Sequence, residues 1–450
     1  MVYTLLKNIV KLAINVYFKK VHIEGRENIP TKGPFLIVAN HPSSFLDPIS
    51  IAILVKQKIS FLAGGFMFKN KFIASILRGL NMVAIYRAQD NPGMLSNNDD
   101  VFKDCYKKLR DKGAIMIFPE GTSEMERRLR KIKTGAARIA LGAEKENNYD
   151  LNVVILPVGL NYSKSSRFRS EMTINIGTPI NVLDFKEDHK KDEVNAVQKL
   201  TKSIETKIRD LIVAIDKHEY DELIERVETI YKTEITKTTQ INKSHNLTQI
   251  KISQEIASAV KHFQENEPKL FDDTKFRIDN YFEKLTQTNL SDKSIKQNMQ
   301  NKNLFGYIIK SVLKIIVGFP IWLFGMMNSY IPYKLPRYLA LAITDSEAFY
   351  GALLMSLGTL SFIVIYSLEI FLVWFFFHSP LLTVLYAIAL PLTGFFTIYY
   401  SRFTRKFYYN WKLISSFYSK QQMVAELIEE RKNIIIELEK IREKYSVVNA

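Results

Sequence analysis

The feature that most constrains this chain is an uninterrupted apolar stretch, Gly351–Phe377, whose single charged residue is Glu369. A hydrocarbon core of ~30 Å accepts about 20 helical residues, so this run is long enough to cross one. His378, Ser379 and Pro380 then make a turn, and Leu381–Tyr400 supplies a second run of crossing length with Pro391 inside it. Arg402, Arg405 and Lys406 follow at once, and an excess of Lys and Arg marks the cytoplasmic end of a span. The expectation is a transmembrane helical hairpin over 350–400, followed over 401–450 by a cytoplasmic amphipathic helix that packs on itself or on a partner.

A chain of 450 residues exceeds what one core usually serves. Lys and Arg outnumber Asp and Glu by 62 to 46, a net charge of +16 that favours anionic partners. Beside membrane spans, that charge points to acidic lipid or a phosphorylated substrate rather than nucleic acid. The first 20 residues carry Lys7 and Lys11 within an apolar run and no small-residue cleavage site. They read as a membrane-associated interfacial helix, not a removable signal. The single cysteine, Cys105, leaves no internal disulfide or multi-thiolate site and reads as a buried or half-buried helix residue. The seven histidines show no metalloenzyme spacing, and no glycine-rich nucleotide loop is present. No metal or cofactor is expected.

From Phe35 to Gly177, short apolar runs such as FLIVA, MVAIY, AIMIF and NVVILPVG alternate with helical patterns. That rhythm predicts an α/β domain with its sheet covered on both faces and its reactive groups at the carboxyl ends of strands. Residues 182–303 are rich in Lys, Glu, Asp, Gln, Thr and Asn, with apolar residues at helical spacing, and read as a solvated helical region.

The strand FLIVA leads into Asn40-His41-Pro42-Ser43-Ser44-Phe45-Leu46-Asp47-Pro48. Each proline pushes the residue before it out of helical conformation, which sets His41 and Asp47 at the edges of a short loop. Pro48 then suits the first position of a helix with Asp47 as its N-cap. Two readings fit: a helix cap beside a loop histidine, or a general-base dyad in which the carboxylate orients the imidazole and supports its protonated form.

Four blocks in order carry a resemblance: Asn40–Pro48; the strand-like Gly79–Arg87; Phe118-Pro119-Glu120-Gly121-Thr122; and Ile155-Leu156-Pro157-Val158-Gly159. Together they resemble the PlsC-like glycerolipid acyltransferases, which act on glycerol-3-phosphate or lysophosphatidate, over roughly the first 180 residues. Five residues lie between His41 and Asp47 where four are commonest, a spacing similar to that of the yeast-type glycerol-3-phosphate acyltransferases. Ser123 stands where many relatives have Arg.

The resemblance implies a mixed sheet covered by helices over 21–181. It also implies direct O-acyl transfer from acyl-CoA or acyl carrier protein, with His41 as base, Asp47 orienting it and no acyl-enzyme. Arg87, Gly121, Thr122 and Lys133 would meet the acceptor's phosphate, Glu120 a glycerol hydroxyl or Arg87, and Pro157 and Gly159 at a strand end the donor. A non-catalytic membrane scaffold keeping the fold is the competing reading. A domain that uses cytosolic thioesters belongs on the cytoplasmic face, as does the basic tail. The apolar 304–328, which holds Lys310, Lys314 and Pro320, is therefore expected as an interfacial or re-entrant helix.

Overall fold

The computed structural model describes residues 2–86, 98–126, 128–213, 220–238, 246–288, 290–298, 304–419 and 421–448. The chain divides by internal packing into two units. One comprises Met1–Asp216, Ser244–Lys251 and Leu341–Ser356; the other comprises Lys217–Lys243, Ile252–Ala340 and Leu357–Ala450.

The first unit opens with helix α1 (Val2–Tyr17) and strands β1 (Lys20–Glu24) and β2 (Phe35–Ala39). It continues through α2 (Leu46–Ala52), β3 (Ile59–Gly64), α3 (Lys71–Gly79), β4 (Met82–Ile85), α4 (Asn98–Arg110), β5 (Ala114–Ile117) and α5 (Gly135–Glu146). Strands β6 (Val154–Tyr162), β7 (Glu171–Ile176) and β8 (Ile180–Asn181) and helices α6 (Lys186–Lys191) and α7 (Glu193–Arg209) follow. The strands form one mixed sheet in the order β1-β7-β6-β2-β5-β3-β4, with β8 on β6. Strands β6, β2, β5, β3 and β4 run parallel, so their carboxyl ends share one edge. Strand β7 is antiparallel to β6.

Strand alternation divides the core in two. Leu36 and Val38 face a layer of α4, α5 and α7, where Cys105, Ile139, Leu200 and Ile204 are buried. Phe35, Ile37 and Ala39 face α1 and α2, with Ile14, Leu46 and Ile51. Helix α1 gives Ile14 and Tyr17 to the core, whereas Leu12 is 65% exposed. Burial pushes the Cys105 thiol up to about 12, which suits a packing residue and not a nucleophile. Helix α7, which the sequence reading placed in the polar region beginning at 182, buries Ala196, Leu200, Ile204 and Ile208 against the sheet. Its 3.6-residue stripe is a core face, although every residue between those positions except Val197 is polar.

The remaining helices are α8 (Asp221–Thr238), α9 (Asn246–Asn266), α10 (Pro268–Gln287), α11 (Asp292–Asn298), α12 (Leu304–Ile343), α13 (Glu347–Phe377), α14 (Pro380–Ser419) and α15 (Gln421–Val448). Three of them are long and apolar enough to cross a membrane: Ile308–Ile343, Glu347–Phe377 and Pro380–Tyr409. The expected hairpin is the pair α13 and α14, broken at His378 and Ser379. The expected helix over 304–328 extends to Ile343 and keeps Pro320, Pro332 and Pro336 within it.

In the second unit, α15 packs against α8, α10 and α11. At the centre of that contact Arg431 donates to Asp292 at 2.7 Å and to the Ile230 carbonyl at 3.1 Å, and the Tyr281 hydroxyl donates to Asp292 at 3.0 Å. The Arg431 and Asp292 side chains are 3% and 4% exposed. Removing one partner of such a pair strands the other's charge without water. Arg431→Ala is therefore expected to cost about 3–5 kcal/mol in urea unfolding of the detergent-solubilised chain, and Arg431→Met with Asp292→Leu to recover part of that loss.

Candidate active site

Strand β2 ends at Ala39, and the next residue, Asn40, is locked across the sheet. Its side chain donates to the Leu160 carbonyl at 2.9 Å and accepts from the Leu160 N–H at 2.7 Å. His41 therefore emerges at a fixed point on the carboxyl edge of the parallel strands. Six residues later Asp47 returns to it, with Oδ2 2.8 Å from His41 Nδ1.

Asp47 is fully buried while the His41 side chain is 19% exposed. Beyond His41, the Asp47 carboxylate accepts from the Ser43 N–H at 2.7 Å and from the Tyr162 hydroxyl at 2.7 Å. Burial and the adjacent carboxylate hold the Tyr162 phenol well above its ordinary range, so it stays a donor. An ionised Asp47 accepts all three bonds, which places a hydrogen on His41 Nδ1 and leaves the Nε2 lone pair free. Phe118 stacks on the imidazole with ring centroids 4.0 Å apart and planes 15° from parallel, fixing the ring's tilt.

The sequence reading made Asp47 the helix cap and Pro48 the first helical residue. Helix α2 instead starts at Leu46, with Phe45 at the cap position and no side-chain cap bond. Asp47 cannot cap because both its oxygens are committed to His41, Ser43 and Tyr162. Pro48 is tolerated because N–H groups in a first turn have no helical partner.

The turn after β5 closes the site from the other side. Glu120 Oε1 accepts from the His41 N–H at 2.9 Å, and Oε2 accepts from the Arg130 N–H at 3.3 Å. Burial raises the Glu120 carboxyl, and those two backbone donors oppose the rise. Where the sequence reading gave Glu120 a glycerol hydroxyl or Arg87, the carboxylate bridges two loops. Arg87 lies outside the described residues. Ser123 accepts from the Ser44 N–H at 2.6 Å and ties the same two loops.

Gly121 adopts a left-handed φ of 73°. A Cβ there would meet the Lys133 amino nitrogen at 2.6 Å, so Lys133 lies directly over this turn. The Arg130 guanidinium donates to Thr122 at 3.4 Å and pairs with Glu124 and Glu126. Gly121, Thr122, Lys133 and Arg130 thus come together beside the His41 loop.

Two blocks differ from the sequence reading in extent. Gly79 ends α3 and only Met82–Ile85 is strand, with Asn81 in the left-handed region between them. Pro157 sits mid-strand, in register with Val38, and packs on Gly177. A Cβ on Gly159 would strike the Leu211 carbonyl at 2.4 Å, so this glycine admits the chain that follows α7. The structure does not bring Pro157 to the dyad. Tyr162, which the sequence reading missed, was signalled by alternation: Leu156, Val158 and Leu160 line one face of β6, and 162 continues it.

The family model described as Acyltransferase matches residues 20–161. Glycerol-3-phosphate O-acyltransferase 1 of Saccharomyces cerevisiae is 27% identical over 217 residues, 47% of this chain and 28% of that protein. The chain therefore spans under a third of that relative's length. The 1-acyl-sn-glycerol-3-phosphate acyltransferase of Bacillus subtilis is 26% identical over 200 residues, 44% of this chain and 90% of that protein. The crystal structure of the 1-acyl-sn-glycerophosphate acyltransferase PlsC of Thermotoga maritima aligns with a TM-score of 0.31 and 22% identity, covering 44% of this chain and 77% of that one. The His41–Asp47 loop and the Phe118–Thr122 turn both fall inside the segment, residues 20–161, that matches the Acyltransferase family model.

Proposed function

We propose that this protein is a membrane-bound O-acyltransferase that moves a fatty acyl group from acyl-CoA or acyl carrier protein to a hydroxyl of glycerol-3-phosphate, with lysophosphatidate as the alternative acceptor. The observation that carries the reading is the 2.8 Å contact between His41 Nδ1 and a buried Asp47, which leaves Nε2 open to a substrate proton. His41 Nε2 takes the acceptor hydroxyl's proton as that oxygen attacks the thioester carbonyl carbon. The C–O bond forms, the C–S bond breaks, and the imidazolium returns the proton to the departing thiolate. Asp47 stays ionised and steadies the imidazolium. No serine or cysteine nucleophile is required, which agrees with the burial of Ser43 and Cys105. The acceptor's phosphate falls to the Gly121–Thr122 turn with Lys133 and Arg130 beside it, whose cationic groups suit a phosphate, and to Arg87. The five-residue His–Asp spacing favours glycerol-3-phosphate.

The membrane arrangement belongs to the same reading. The start of α13 packs with the catalytic domain: Ala352 and Met355 lie in one core cluster with Leu46 and Ile51. The carboxyl end of α12, which leads directly into α13, is then on the catalytic side. Independently, α15 packs on α8, α10 and α11, so an even number of crossings separates Asn298 from Gln421. Two crossings, α13 out and α14 back, fit both contacts, and α12 is read as entering and leaving the bilayer on one face. Lys310, Lys314, Lys334, Arg337, Arg402, Arg405 and Lys406 then share the catalytic side, while His378 and Ser379 on the opposite side bring no Lys or Arg. That asymmetry supports a cytoplasmic catalytic face.

Membranes carrying His41→Ala, given labelled acyl thioester with each acceptor in turn, are expected to lose transfer about 10²- to 10⁴-fold. Wild-type membranes that label neither acceptor would favour the scaffold reading instead. Glu120→Gln offers one oxygen and one NH₂ to two backbone donors, so one N–H is orphaned. A loss of about 1–3 kcal/mol in unfolding, together with a lower kcat, is the expected result. For the membrane arrangement, Asp345→Cys should react with an impermeant maleimide only in permeabilised cells and Ser379→Cys in intact ones. Labelling of Asp345→Cys in intact cells would mean that α12 crosses. Cys105, buried and with its thiol pushed up to about 12, gives little background.

A further inference from the structure

The family match ends at residue 161, yet the loop that carries His41 and Asp47 is backed by side chains nearly two hundred residues further along. Phe349, in the first turn of α13, sets its ring edge-on to Phe45, with centroids 5.7 Å apart and an interplanar angle of 73°. Gly351 lies so close that a Cβ there would meet the Ser165 carbonyl oxygen at 2.5 Å and Leu46 Cδ1 at 3.2 Å. Ala352 and Met355, 3% and 5% exposed, complete the contact. Leu46 is fully buried and immediately precedes Asp47. Phe45 and Leu46 are therefore the two residues of the loop that α13 presses upon.

Ser165 gathers the neighbouring elements. Its carbonyl accepts from the Tyr17 hydroxyl at 2.9 Å, and its hydroxyl donates to the Met125 sulfur at 2.9 Å. Helix α1, the segment after Thr122 and the foot of α13 thus converge on one residue behind the catalytic loop. A glycine is required at 351 because the helix approaches the Ser165 backbone, which has no flexible end to move aside.

We infer that the foot of α13, through Phe349 and Gly351, is a positioning element of the active site. It holds Phe45 and Leu46, and through them the distance from Asp47 to His41. This rests on the acyl-transfer reading of that dyad. Neither residue touches the reacting atoms. Their contribution is to keep the base pointed, so it appears in turnover and not in acceptor affinity. Because Gly358 and the residues beyond it continue the same helix as an apolar span, the catalytic loop is braced by the segment that anchors the chain in lipid.

The experiment compares full-length wild type with Gly351→Leu, Gly351→Ala, Phe349→Ala, Phe349→Leu and Gly358→Leu in membranes. Rates are normalised to protein that resists limited proteolysis. Gly358 is the control, since its Cβ would meet only Pro336 Cγ, at 4.0 Å. The expected result is a kcat at least tenfold lower for Gly351→Leu and Phe349→Ala, with acceptor KM within twofold of wild type. Phe349→Leu should recover most of the rate, and Gly358→Leu should match wild type. Should Gly351→Leu fail to yield resistant protein, Gly351→Ala and the Phe349 pair decide. Wild-type kcat in Phe349→Ala and Gly351→Ala would overturn the inference, as would a rise in KM with kcat unchanged. An inactive wild type would instead overturn the acyl-transfer reading.

Discussion

The site depends on how one buried carboxylate is satisfied. Asp47 has no solvent exposure, and an ionised carboxyl taken out of water is tolerated only where hydrogen bonds replace hydration. It receives them from His41, the Ser43 amide and Tyr162. These come from the end of β2, the loop itself and the end of β6, so one charge draws together two neighbouring strands. The same demand fixes the imidazole tautomer. Chemistry and stability are served by the same three contacts, which is why the loop can be short and still hold a side chain of partial exposure in one orientation.

A second carboxylate repeats the device at the adjoining turn. Glu120 is bound by backbone amides of His41 and Arg130, and so joins the His41 loop to the segment that carries Arg130 and Lys133. Two acids, each spent on internal donors, hold the His41 loop and the Phe118–Thr122 turn together and leave Lys133 and Arg130 beside them.

How far this was legible from the residues differs from element to element. The alternation of apolar runs was enough for the α/β layering, and the spacing of His41 and Asp47 was enough to raise the dyad as one of two readings, although Asp47 turned out to be helical despite the proline after it. What escaped was whatever depends on partners remote in sequence. Asp47 looked like a cap because capping is the local use of an aspartate before a helix, and only Tyr162 and the loop's own amide displace that use. Glu120 looked like a substrate contact because nothing nearby in sequence shows that the His41 amide needs an acceptor. Helix α7 looked solvated because its buried stripe is thin, at Ala196, Leu200, Ile204 and Ile208. The helix expected over 304–328 runs on to Ile343 through Pro332 and Pro336.

The pairing of α15 with α8, α10 and α11 bears on how this protein is made. About 120 residues, including both arms of the hairpin, separate Asn298 from Gln421. At about 5–20 residues per second, a ribosome needs roughly 6–25 s to supply the last helix after the others have emerged. Throughout that interval Asp292 has no Arg431, and the faces that will receive α15 are uncovered. Completion of the bundle therefore waits until all of the long apolar helices have been made, and a nascent chain that stalls within them leaves the Asp292 cluster unfinished.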